Sequence, residues 1–208
     1  MKLAHIKNVY LVGIGGIGMS GLARYFKNIG CEVAGYDKTE TILTKELIAE
    51  EIPVTYFDDS SLLPDTFLVH DPSTLIIYTP AIPQDSEILN YFIEQDFMLR
   101  KRAQVLGIIS ESSFTIGVAG THGKTTTSTI IAHLLKHSGY DCSAFLGGIS
   151  TNYQSNILFG KNNVMVIEAD EFDRSFLTLH PDIAIVTSMD ADHLDIYGDK
   201  NHIEESFR

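Results

Sequence analysis

"NVYLVGIGGIGMSGLA", residues 8–23, runs from an apolar stretch straight into G-x-G-x-x-G and on into a segment with helical spacing. Strand, glycine loop and helix in that order open a βαβ unit, and "EVAGYD" (32–37) supplies the second strand. Gly13, Gly15 and Gly18 carry the pattern, with Gly16 and Ile17 between them, and Asp37 closes the second strand 19 residues beyond Gly18. This is the spacing of a dinucleotide fingerprint. Glycines permit a tight turn and close approach, and the helix start offers unpaired amides to a diphosphate. The loop reads only the diphosphate, so a dinucleotide and a nucleotide-sugar fit it equally, and a purely structural tight turn is the alternative. Asp37 is placed either to accept from a ribose hydroxyl or simply to end its strand in solvent.

Outward from this unit the alternation continues. "TILTKELIAEE" (41–51) has helical spacing, "PVTYF" (53–57) and "TLIIY" (74–78) read as strands, and "SEILNYFIEQ" (86–95) and the stretch near 101–109 read as helices. A mostly parallel sheet covered on both faces is expected. "SESS" (110–113) is a polar break, which sets a boundary between a domain over 1–110 and another over 111–208. The second restarts the pattern with "FTIGVA" (114–119), a glycine loop, a helix from about Gly123 to His137, and strands at "CSAFL" (142–146), "VMVIEA" (164–169) and "DIAIVTS" (182–188). The fold class is α/β, a Rossmann-like parallel-sheet domain followed by a P-loop α/β domain. The closing "KNHIEESFR" reads as an amphipathic helix without a terminator, so the second domain is expected to be incomplete.

The chain has 208 residues with 27 acidic against 15 basic side chains, a formal charge of −12. That balance disfavours a polyanionic partner unless a basic stripe exists. "RKRA" (100–103), the one basic cluster, reads as a solvated helix start, so no nucleic acid is expected. Apolar runs such as "TLIIY" and "VMVI" (164–167) fall far short of the roughly 20 residues of a membrane span. The N-terminus lacks the features of an export signal. Cys31 and Cys142 lie far apart and outside any C-x-x-C arrangement, which fits a reducing cytoplasm. An anionic nucleotide therefore has to be held locally, by amides, one lysine and metal ions.

"GVAGTHGKTTTS" (117–128) is where such holding is concentrated. Against G-x-x-x-x-G-K-[ST] it supplies Gly123, Lys124 and Thr125 but has Val118 where the first glycine belongs, with glycines at 117 and 120 instead. The mechanical parts survive the mismatch: a strand feeds a tight loop, Lys124 can reach outer phosphates, and Thr125 can ligate Mg²⁺. Glu168 and Asp170 end a buried-type strand in "VMVIEAD", where a cation beside triphosphate oxygens needs a carboxylate. Glu168 is the expected partner of Thr125, and Asp170 reads as a helix cap or a supporting group. His193, among Asp190, Asp192 and Asp195, follows another strand, so it is either a surface histidine or a ligand at the carboxyl edge of the sheet.

Together "GIGGIGMSGLA" (13–23), "YTPAIP" (78–83), "GTHGKTTT" (120–127), "EADEFDRSFL" (168–177) and "DADHLDIYGD" (190–199) resemble the Mur ligases of bacterial peptidoglycan synthesis over essentially the whole chain. G-T-x-G-K-[ST] is that family's own loop form. The resemblance implies that the first domain binds the UDP of UDP-N-acetylmuramate through Gly15, Gly16, Ile17, Gly18 and Asp37, with no nicotinamide needed. It implies that Gly120, Thr121, His122, Gly123, Lys124, Thr125 and Thr126 hold ATP. Two Mg²⁺ ions are implied, one on Thr125 and Glu168 and one on Glu168 and His193, with Lys124, Glu168 and His193 carrying catalysis. The implied reaction joins L-alanine to the muramoyl carboxylate through an acyl phosphate, and a third domain absent from this sequence would carry much of the amino-acid site. The chain alone is then expected to form no product. "GGISTNYQSN" (147–156) resembles the segment facing the muramoyl group, and Ser188 stands where family members usually show Asn. Three other readings remain: a family member that attaches a whole peptide instead of L-alanine, a non-catalytic NAD-binding regulator, and a nucleotide-binding interaction module.

Overall fold

Val9, Tyr10, Leu11 and Val12 are all buried, so β1 (Asn8–Val12) is a central strand covered on both faces. The computed structural model describes residues 3–169 and 176–189. Asp170, His193, the aspartates at 190, 192 and 195, and the closing "KNHIEESFR" lie outside the described residues. The chain divides into two compact units, Met1–Val105 and Leu106–Arg208.

In the first unit α1 (Ile17–Asn28), β2 (Glu32–Tyr36), α2 (Ile42–Ala49), β3 (Val54–Thr55), β4 (Thr74–Tyr78), α3 (Glu87–Glu94) and β5 (Met98–Lys101) follow β1. The sheet order is β3-β2-β1-β4-β5 and every pairing is parallel. Strand order reverses between β1 and β4, and the loop after β1 opens at that switch point, where parallel α/β sheets take their ligands. Local chemistry sets the ends of the elements. Gly30, at φ +91°, ends α1 while Cys31 N donates to Phe26 O, and a reciprocal Thr41–Thr44 capping box starts α2. The Asp58 carboxylate accepts from the amides of Glu87 and Ile88 at the start of α3. The core packs Tyr10 against Phe67 and Phe92, and Phe92 against Phe97, with ring centroids 5.1–5.2 Å apart.

The second unit takes up α4 (Arg102–Glu111) from Leu106 on and continues through β6 (Phe114–Ala119), α5 (Lys124–His137), β7 (Ser143–Ser150), β8 (Ser155–Leu158), β9 (Val164–Glu168) and β10 (Ile183–Val186). Its sheet order is β10-β6-β9-β7-β8, parallel except for the β7–β8 hairpin. Asp141, in the left-handed region at φ +69°, ties the end of α5 to this sheet: its carboxylate takes the Lys136 ammonium and the amides of Cys142 and Lys161.

The structure departs from the sequence reading at three places. Arg100 and Lys101 are the last residues of β5, paired with Ile77 and Tyr78, and only Arg102 begins a helix. A four-residue edge strand ending in two charges has too little alternation to register as one. "PVTYF" shrinks to Val54–Thr55, the only residues of it paired with β2. "GGISTNYQSN" is the far half of β7, a turn and the start of β8, a hairpin hidden by its small and polar residues.

Two outcomes follow from this packing. The Tyr10 hydroxyl is buried with no hydrogen-bond partner among the described residues. Tyr10→Phe should therefore leave stability unchanged or raise it by up to about 1–2 kcal/mol in urea titration, and a loss of that size would reveal an overlooked partner. The Asp141 carboxyl is held down at about 2, chiefly by the Lys136 hydrogen bond and then by the Lys161 amide. Because its folded value lies below the ordinary 3.8, its contribution is complete above that pH and disappears as pH falls through about 2. Thermal melts should show Asp141→Asn lowering the melting temperature at neutral pH and narrowing its gap to the natural chain near pH 2; a pH-independent gap would contradict this.

Candidate functional site

The loop after β1 is shaped by what glycine leaves out. Gly13 sits at φ +90°, its amide and that of Ile14 donate to Tyr36 O, and a Cβ there would stand 2.8 Å from the Thr79 methyl and 3.1 Å from Ile82. The "YTPAIP" segment thus closes one side of the turn. Gly15 N donates to Asp37 Oδ2 at 2.8 Å, and Asp37 Oδ1 accepts from Thr39 N at 3.0 Å. A Cβ on Gly15 would press on that carboxylate, and one on Gly18 would strike the Arg102 guanidinium. Gly16 is the N-cap of α1 and makes no side-chain cap, so Ile17 and Gly18 start the helix without one. Gly15 to Gly18 and Asp37 are therefore one assembly, half-buried around an uncapped helix start and a carboxylate.

The second loop joins β6 to α5. Gly120 at φ +124° and Gly123 at φ +78° turn the backbone, and Gly123 is the N-cap of α5, again without a side-chain cap. Lys124 Nζ donates to Gly120 O at 2.7 Å. Thr125 Oγ1 donates to Glu168 Oε1 at 2.9 Å, and Glu168 Oε2 accepts from Gly147 N at 2.8 Å. Parallel pairing sets Val118 opposite Glu168, which delivers the carboxylate to the loop. Thr121 is buried against Ser188, while His122 and Thr126 face solvent. Glu168 and Thr125 converge as the sequence suggested. His193 is outside the described residues, and no group of three or more His, Cys, Asp or Glu side chains forms a metal cluster among the described ones.

Sequence reasoning did not single out Gly147, Thr187 or Arg102 and saw Ser188 only as a departure from a pattern. The doubled glycine of "LGG" (146–148) was the available signal for Gly147: a Cβ there would land on the Glu168 carboxylate. Thr187 and Ser188 carry no motif of their own; they matter because β10 pairs with β6. Cys31 and Cys142 are buried, and burial raises both thiols, so neither has the exposed thiolate character of a reactive cysteine. What the second loop offers is a turn for an anion, the Lys124 ammonium, and a hydroxyl with a carboxylate as hard oxygen donors. That donor set fits Mg²⁺ beside a polyphosphate.

The model of the Mur ligase family, catalytic domain, matches residues 8–113, and that of the Mur ligase middle domain matches residues 118–208. A UDP-N-acetylmuramate–L-alanine ligase of Flavobacterium johnsoniae is 57% identical over 207 residues, covering 100% of this chain and 46% of that protein. One from Porphyromonas gingivalis is 54% identical over 203 residues, 97% of this chain and 44% of that protein. The chain thus spans about half the length of the curated relatives it matches. The crystal structure of UDP-N-acetylmuramate-alanine ligase from Thermotoga maritima superposes with a TM-score of 0.85 at 31% identity, covering 96% of this chain and 46% of that one. UDP-N-acetylmuramate:L-alanyl-gamma-D-glutamyl-meso-diaminopimelate ligase from Neisseria meningitides reaches the same TM-score at 27% identity, over 97% of this chain and 66% of that one.

The Gly147 contact is open to a double-mutant cycle. Gly147→Ala should destabilise the chain by about 1–2 kcal/mol through the displaced Glu168 hydrogen bonds, and should cost nothing in a Glu168→Ala background. Equal penalties in both backgrounds, read by urea titration, would show that Gly147 answers to something other than that carboxylate.

Proposed function

Because the chain belongs to the Mur ligase family, we propose that it carries the UDP-binding and ATP-binding parts of a peptidoglycan-synthesis enzyme, one that joins L-alanine to the lactoyl carboxylate of UDP-N-acetylmuramate. The observation that carries this reading is the meeting of Lys124, Thr125 and Glu168 at the carboxyl ends of β6 and β9. A domain over 1–110 takes UDP at Gly15, Gly16, Ile17, Gly18 and Asp37, and one over 111–208 takes ATP along Gly120 to Thr126. The relatives named for L-alanine, at 57% and 54% identity, favour that amino acid over a peptide. Backbone shape does not separate the two, since both kinds of solved structure fit with a TM-score of 0.85. Buried free thiols and an acidic chain agree with work in a reducing bacterial cytoplasm.

A carboxylate is a poor acyl donor because oxide would have to leave. In the proposed reaction its oxygen bonds to the γ-phosphorus of ATP as the bond to the bridging oxygen breaks and ADP departs. The amine nitrogen of L-alanine then bonds to the carbonyl carbon of the acyl phosphate, inorganic phosphate leaves with the electron pair, and the amine loses a proton. Lys124 turns from Gly120 O to the outer phosphates and balances their charge. Thr125 and Glu168 would hold one Mg²⁺, and Glu168 with His193 would hold a second. Bound Mg²⁺ supplies charge neutralisation on the triphosphate. The uncapped starts of α1 and α5 orient the two substrates' phosphates, which is most of what phosphoryl transfer asks of a protein.

The deciding experiment is phosphate release by the full-length protein with ATP, Mg²⁺ and UDP-N-acetylmuramate, screened across amino acids and a muramyl-type peptide. L-Alanine should give the largest release. Lys124→Ala should abolish it, a loss of at least about a hundredfold by analogy with removal of one charge-stabilising group, while calorimetry still shows UDP-N-acetylmuramate binding. Wild-type release by the variant, or binding of NADH in place of the UDP-sugar, would overturn the assignment.

A further inference from the structure

We infer that Thr187 and Ser188, at the carboxyl end of β10, form a brace that holds the 119–122 loop in its nucleotide-ready shape, a positioning role resting on the ATP reading above. β10 pairs with β6 so that Val186 lies opposite Ala119. The next two residues therefore run beside the loop itself. Thr187 N donates to Ala119 O at 2.9 Å, and its hydroxyl proton is shared between the carbonyls of Ala119 and His122. Ser188 O accepts from Thr121 N at 3.0 Å, and Ser188 Oγ accepts from His122 N at 3.0 Å while lying 2.8 Å from Thr121 Oγ1. With one lone pair taken by the His122 amide, the Ser188 hydroxyl still has its proton for Thr121 Oγ1.

Two hydroxyls thus engage Ala119, Thr121 and His122 in a loop whose glycines, at 120 and 123, would otherwise leave it free to sample other shapes. The fit is close. A Cβ at Gly120 would stand 2.8 Å from Ser188 N, so β10 can approach only because position 120 is glycine. None of these contacts involves Lys124, Thr125 or Glu168, so the brace acts on the loop at Ala119, Thr121 and His122 and leaves the ammonium and the proposed metal oxygens untouched. A loop fixed before the nucleotide arrives spares binding the ordering cost of that segment. Ser188 is well suited to the role: its hydroxyl sits one bond from Cβ, short enough to reach the amide of His122 and the side chain of Thr121 at once.

The test compares the full-length natural protein with Ser188→Ala, Thr187→Val and Ser188→Thr, the last keeping a hydroxyl. Hydrogen exchange of the amides from Thr121 to Gly123, measured without nucleotide, should quicken about five- to tenfold in Ser188→Ala and Thr187→Val, the factor expected for losing a net hydrogen bond. Affinity for a fluorescent ATP analogue should weaken by a similar factor, and Ser188→Thr should restore both. UDP-N-acetylmuramate binding should stay unchanged, because Thr187 and Ser188 belong to the second unit. Unaltered exchange in Ser188→Ala, or faster exchange with tighter nucleotide binding, would overturn the brace. Lys124→Ala is the control for the ATP reading: if the natural protein fails to bind the analogue, or binds it as well with that substitution, the ATP assignment falls while exchange still judges the brace.

Discussion

The second unit depends on β6 lying in parallel register between β9 and β10, with Val118 opposite Glu168 and Ala119 opposite Val186. In a parallel sheet the strands end on the same edge, so this register brings three segments distant in sequence to one place. The glycine loop leaves β6, the carboxylate ends β9, and the Thr187–Ser188 pair ends β10. A register slip of one residue would turn Glu168 to the opposite face of the sheet and carry the hydroxyls past the loop. The first unit uses the same logic once, at the reversal between β1 and β4, where Gly13 is flanked by Thr79 and Ile82.

In both loops, donors that could meet a ligand are paired within the protein. Gly15 N bonds to Asp37, Lys124 to Gly120 O, and Thr125 to Glu168. Each of these groups would be costly to leave unpaired in a partly dry site, and each partner is one that an incoming phosphate or cation can replace. Under the proposed function, an acidic chain would keep two anion sites without a basic surface. One ammonium and a few backbone amides, aimed by glycine turns, would then serve where a field of positive charge would otherwise be needed.

Much of this was legible in the residues. β1, β4 and β6 match the apolar runs at 8–12, 74–78 and 114–119 because central strands of a parallel sheet are buried on both faces and read as continuous hydrophobic stretches. The Lys-Thr at the start of α5 and the acid at the end of β9 were visible because phosphate and cation chemistry restricts those positions to few residue types. The β7–β8 hairpin and β5 were not, since small polar residues and charges at a sheet edge leave no period to count. Ser188 was visible only as a substitution. Its meaning comes from a hydroxyl 2.8 Å from Thr121 Oγ1 across 67 residues of sequence.

The α/β class, the two glycine loops and the residue types suited to phosphate were readable from the residues alone, because each of these rests on local spacing and on chemistry that a short stretch carries. Only the tertiary structure decided that Gly147 must lack a side chain, that Asp37 occupies the Gly15 amide, and that Thr187 and Ser188 grip the loop. Those facts arise where separate strands end side by side, and strand register is set by how whole sheets bury their faces, which no single stretch of residues contains.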